Sequence, residues 1–109
     1  MISLLQEKLR AIEALCRKYH ATRLEVFGSA AGEDFFPEKS DIDFLVEFQP
    51  DSDLGPWMNH YFEFRDELGE LLGVKVDLVM ASALTNPYFI REVNQTRKLL
   101  YETKNSEMD

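Results

Sequence analysis

Asp41 and Asp43 stand two residues apart in Ser40-Asp41-Ile42-Asp43-Phe44-Leu45-Val46-Glu47-Phe48, and the chemistry of the chain starts from that spacing. Ile42, Phe44, Val46 and Phe48 alternate with Asp41, Asp43, Leu45 and Glu47, which is the period of a strand. The two carboxylates then share one face, side by side, where like charges repel unless a cation sits between them. Oxygen ligands of this kind suit Mg²⁺, which usually takes one or two protein carboxylates together with substrate phosphates. Upstream, Gly28-Ser29 ends a short apolar run and reads as the turn leaving a strand. Gly28 permits a positive φ or a close backbone approach. Ser29-Ala30-Ala31 can begin a helical turn that offers amide N–H groups and a hydroxyl to an anion. Downstream, Asp77 is alone in the strand-like run Val74-Lys75-Val76-Asp77-Leu78-Val79, where a buried carboxylate is costly unless paired or metal-bound. Taken singly, Gly-Ser is an ordinary strand exit and the Asp pair an ordinary solvated strand edge. Taken together, they are the parts that a metal-dependent nucleotidyl transfer requires.

The elements that must position these residues follow from apolar periodicity. Ile2, Leu5, Leu9, Ile12, Cys16 and Tyr19 form one helical stripe, with Ser3 and Gln6 at capping-box spacing. Cys16 on that stripe reads as a packed thiol rather than a nucleophile, and His20 as a cation at the helix end. Arg23 to Phe27 is a short strand, and Gly32 to Ser40 a loop broken by Pro37. Phe35 and Phe36 read as core plugs before they read as a lid. After Asp41 to Phe48, the polar stretch Gln49 to Gly55 turns the chain, and Pro56 suits a first helical position. Trp57, Tyr61, Phe64, Leu68, Leu71 and Leu72 keep helical spacing up to Gly73, a C-terminal stop. Trp57, Met58, Tyr61 and Phe62 fit a core better than a base-stacking platform. His60 reads as surface. Val74 to Met80 is the next strand, Asn86-Pro87 opens a short helix over Tyr88 to Val93, and Lys98 to Tyr101 is a final strand. Residues 103–109 carry one apolar side chain, Met108, and read as a frayed tail. The order predicts a single α/β domain over 1–109, with helices packed on a small mixed sheet.

Composition narrows the partners. With a net charge of −8, the chain is ill suited to bind nucleic acid by phosphate attraction, which needs clustered Lys and Arg. An acidic chain favours a small molecule, a basic partner, or a nucleotide whose phosphates bring their own metal. One cysteine excludes an internal disulfide and fits a reducing, cytoplasmic setting. Charges at Glu7, Lys8 and Arg10 argue against a signal peptide, and no apolar run approaches membrane-spanning length.

From Arg23 to about Tyr101 the chain resembles the minimal nucleotidyltransferase family of the DNA polymerase β-like superfamily. Gly28-Ser29, Asp41-x-Asp43 and Asp77 match that family's glycine-serine, paired-aspartate and third-aspartate positions. Two departures stand out. Eleven residues separate Ser29 from Asp41 where the family commonly has about ten, the extra one falling near Lys39. Ala30, Ala31 and Gly32 follow Ser29 where many relatives carry an arginine. The resemblance implies the polymerase β-like nucleotidyltransferase fold and transfer of AMP from ATP to a hydroxyl. It implies that Asp41 and Asp43 hold two Mg²⁺ ions, with Asp77 completing the second metal site and helping to deprotonate the acceptor. Gly28 and Ser29 would hold the β- and γ-phosphates. Small family members look like the antitoxin half of a pair with a HEPN-domain toxin, whose tyrosine takes the AMP. Two competing readings remain. One is a weak or inactive antitoxin that neutralises by binding alone, favoured by Gly32 and the longer loop and opposed by the three carboxylates. The other is a structural domain that binds divalent ions, which leaves Gly28-Ser29 unexplained.

Overall fold

A computed structural model describes residues 1–33, 40–50 and 53–103; the expectations for Phe35, Phe36, Pro37, Lys39 and residues 104–109 lie outside it, as does the Trp57 side chain. Among the described residues the elements are α1 (Ser3–Glu7), α2 (Leu9–Lys18), β1 (Ala21–Phe27), β2 (Ile42–Phe48), α3 (Asn59–Leu72), β3 (Val76–Met80), α4 (Pro87–Thr96) and β4 (Lys98–Glu102). The strands form one sheet in the order β3-β2-β1-β4. β1 runs antiparallel to both β2 and β4, whereas β2 and β3 are parallel. A parallel pair needs a long crossover, and α3 supplies it. The result is the mixed α/β sheet that the sequence predicts.

One face of the sheet carries the main core. Leu24, Val26, Ile42, Phe44, Val46 and Leu78 pack there with Leu5, Ile12 and Cys16 from α1 and α2 and with Phe64, Leu68 and Leu72 from α3. The alternation in β2 is what sends Ile42, Phe44 and Val46 to this side. Cys16 is fully buried, and burial pushes its thiol up to about 12, which makes it an inert packing group. The other face bears a smaller cluster of Phe27, Leu45 and Val93 beneath α4. Leu45, which alternation groups with the acids, is therefore buried as well, because α4 covers the middle of that face.

Local chemistry sets the element ends. The N-terminal stripe is continuous in sequence but breaks into two helices at Lys8 (φ −100°, ψ 9°). No side-chain cap forms at Ser3; the Gln6 amide donates instead to the Met1 carbonyl at 3.2 Å. Pro56 opens a short 3₁₀ turn rather than the long helix, which starts only after Met58 takes a left-handed conformation (φ 59°). Met58 and Phe62 are exposed rather than core, while the half-buried Tyr61 donates its hydroxyl to the Leu78 carbonyl. Gly73 ends α3 at φ 69°, where a left-handed C-terminal residue is required. Asn86 caps α4, its side-chain oxygen accepting the N–H of Tyr88 at 2.8 Å and of Phe89 at 3.4 Å.

Candidate active site

The three aspartates lie at the same end of the sheet, where β2 and β3 begin. In the parallel register Asp43 lies opposite Asp77 on the neighbouring strand, and Asp41 immediately precedes β2. In-register parallel strands keep paired side chains on the same face, so Asp43 and Asp77 are direct neighbours. On the other flank of β2, Asp43 pairs with Phe27, the last residue of β1, and the chain then turns at Gly28. This turn is tight. Gly28 has φ +76°, and a Cβ placed on it would lie 2.7 Å from the Asp43 Oδ2. Only glycine lets the backbone come so close to that carboxylate. Gly28 to Ala31 forms a single 3₁₀ turn, with Ala30 and Ala31 buried and Ser29 exposed.

Charge and burial divide unequally among the acids. Asp43 is half-buried, and burial first, then the charges of Asp77 and Asp41, push its carboxyl from the ordinary 3.8 up to about 6. Asp77 is exposed, which corrects the argument from desolvation made for it above. β3 is an edge strand, and the apolar patch under α4 includes Val79, two residues further along it. The cost of burial falls on Asp43 instead. Lys75 stands with its Nζ 3.9 Å from the Asp41 Oδ2, a loose and exposed pair.

Two features escape a reading of the sequence. The Gly28 N–H donates to the Thr96 Oγ1 at 2.9 Å, so Gly28 contributes closeness of approach while this amide faces α4. Behind the turn, Glu25 is 4% exposed and takes the guanidinium groups of Arg97 and Arg23. Burial opposes its ionised form, but the hydrogen bonds from Arg97 and then Arg23 outweigh that, leaving its carboxyl below the ordinary range. Neither partnership has a local signal, since 68 residues separate Gly28 from Thr96 and 72 separate Glu25 from Arg97.

The donor set is consistent with Mg²⁺. Every candidate ligand is a carboxylate oxygen, and the raised carboxyl of Asp43 marks a place where added positive charge is favourable. Among the described residues no three His, Cys, Asp or Glu side chains are gathered closely enough to hold an ion by themselves. Mg²⁺ does not need three, because it is commonly held by one or two carboxylates plus phosphate oxygens. A separate hollow of about 400 Å³, lined by Tyr19, His20, Asp53, His60 and Glu67, lies at the far end of β2 and includes none of the three aspartates. His60 pairs there with Glu63 at 3.2 Å and is exposed, a carboxylate neighbour that the sequence reading overlooked.

A glycine turn pressed against one of two in-register carboxylates, on a mixed sheet with helices on both faces, defines a nucleotidyltransferase-type protein. The chain belongs to the nucleotidyltransferase domain family, whose model matches residues 9–100. Among relatives, a Methanocaldococcus jannaschii protein named "Putative protein adenylyltransferase" is 39% identical over 95 residues, which span 86% of this chain and 92% of that protein. A solved structure described as a "putative minimal nucleotidyltransferase" is 32% identical, with a TM-score of 0.68 over 86% of this chain and 90% of its own. The fold is also shared with the complex of a tri-AMPylated Shewanella oneidensis HEPN toxin and MNT antitoxin, at 22% identity and a TM-score of 0.63 over 94% of this chain and 76% of that one. Among the described residues no helix is long and apolar enough to cross a membrane.

Proposed function

We propose that this nucleotidyltransferase moves AMP from ATP to a hydroxyl, a tyrosine of a partner HEPN-domain toxin, and so acts as the antitoxin of the pair. The observation that carries this reading is the Gly28 turn set 2.7 Å, by its absent Cβ, from the Asp43 carboxylate, with Asp77 alongside. Asp41 and Asp43 would hold Mg²⁺, and Asp77 would complete a second metal site. When bound, Mg²⁺ neutralises the phosphates and stabilises the attacking and leaving oxygens of an in-line displacement. Ser29, exposed at the start of the 3₁₀ turn, offers its hydroxyl to the departing phosphates, while Gly28, lacking a Cβ, lets the turn lie close beside Asp43. Asp77, exposed at the sheet edge, is accessible to an acceptor hydroxyl and accepts its proton. The archaeal relative's name and the AMPylated toxin in a structure of the same fold both support the choice of AMP and of a protein acceptor.

Incubation with α-labelled ATP, Mg²⁺ and a HEPN-domain protein encoded beside this chain tests the proposal. Label should become covalently attached to the toxin only when both Mg²⁺ and this protein are present. No transfer to that toxin, with its activity suppressed all the same, would support neutralisation by binding alone.

A further inference from the structure

The site as described leaves one hydroxyl without a role. Thr96 is the last residue of α4, and its Oγ1 accepts the Gly28 N–H at 2.9 Å. Its own proton points back to the Glu92 carbonyl at 3.5 Å, which leaves a lone pair facing Gly28. The backbone around Thr96 is held from both sides. Three residues earlier, Val93 is fully buried with Phe27 and Leu45. One residue later, the Arg97 Nε donates to both carboxylate oxygens of Glu25, at 3.1 and 3.2 Å. Thr96 is thus carried on a fixed mount, and Gly28, which it grips, is the residue pressed against Asp43.

We propose that Thr96 is a positioning residue for the transfer: its hydroxyl holds the Gly28-Ser29 turn at the distance from Asp43 that the reaction needs. A glycine at φ +76° has no side chain to restrain it, so the Thr96 bond supplies an external restraint on the orientation of the turn. The Glu25–Arg97 pair serves by holding Thr96 in place. Small errors of position in a transfer site carry large penalties in rate, of order a hundredfold for about 1 Å. Thr96 itself is exposed, so losing its hydroxyl removes little packing, and water can satisfy the freed Gly28 amide.

The proposal rests on the functional reading above, and two variants with two readouts separate the fates of the two ideas. Thr96→Val keeps shape but removes the acceptor; Thr96→Ser restores it. Amide exchange at Gly28, followed by NMR with EDTA present, reports the bond without any catalysis. Thr96→Val should speed that exchange about tenfold or more, and Thr96→Ser should restore protection. In label transfer, Thr96→Val should lower kcat about tenfold or more with the KM for ATP shifted less than about threefold, and Thr96→Ser should recover most of the rate. Wild-type kcat in Thr96→Val, unchanged Gly28 exchange, or a loss that Thr96→Ser does not rescue would each overturn the role. If wild-type protein transfers no label at all, the functional reading fails, and the exchange comparison still decides whether Thr96 holds the turn.

Discussion

Asp43 and Gly28 are best understood as one unit, because each accounts for an oddity in the other. The carboxylate is pushed up to about 6 by burial and by its acidic neighbours, and part of that burial comes from the backbone pressed against it. The glycine takes φ +76°, a conformation that a residue with a Cβ adopts only with strain. Gly28→Ala therefore meets two costs, the left-handed backbone and a Cβ 2.7 Å from the Asp43 Oδ2. The variant should lose about 1–3 kcal/mol of stability in urea unfolding, and its label transfer should fall with it. A variant as stable and as active as wild type would mean that the turn relaxes freely and that the close approach serves no purpose. The acids were legible in the sequence because strand periodicity alone puts Asp41 and Asp43 on one face. Thr96 was not legible: its part depends on the end of one helix meeting a turn 68 residues away.

At the scale of elements, α4 decides how the acidic face is finished. It buries Leu45 and Phe27, leaves Asp77 outside, and ends against the Gly28 turn. Its start was readable from Asn86 and Pro87, whose capping chemistry is local. Its full length to Thr96 and its attachment to β1 were not, because no periodicity reports a salt bridge. The apolar run around Asp77 likewise reads as buried, because apolar composition does not report that β3 is an edge strand. The attachment can be measured through Glu25. Its carboxyl lies below the ordinary 4.5 because Arg97 and Arg23 bond to the ionised form more strongly than burial opposes it. A depressed carboxyl stabilises the fold above its unfolded value and loses that contribution as pH falls through its folded value. Glu25→Gln should therefore cost about 1–3 kcal/mol near neutral pH, since hydrogen bonds to charged groups are the strong ones. The gap between variant and wild type should close as the solution is acidified below the ordinary carboxylate range. Urea titrations across that range check it, and a gap that stays constant with pH would show that the charge of Glu25 does not hold α4.

For the molecule as a whole, whether a partner is neutralised by nucleotide transfer or by contact turns on a charge at one residue. At net −8 the protein does not attract polyphosphates by its overall field, which suits a nucleotide that brings its own cation. A protein that only bound its partner would gain nothing from keeping Asp43 half-buried beside two other acids, and would carry the cost of it. Asp43→Asn keeps the shape and removes that charge. A carboxyl raised to about 6 favours folding most fully below its unfolded value near 3.8 and loses that contribution as pH climbs through 6. In EDTA at neutral pH the variant should thus be as stable as wild type or more so, by about 1 kcal/mol once solvent screening is allowed for. Label transfer from ATP should fall by orders of magnitude if, as proposed, this carboxylate is the one that holds the cation. Capture of the toxin through other surfaces should persist, yet neutralisation should not outlast the complex, since no covalent mark is left on the partner. Pull-down, label transfer and toxin activity after dilution measure these three properties on the same preparation. Full, lasting neutralisation by Asp43→Asn would make the aspartates dispensable and assign the protein's action to binding alone.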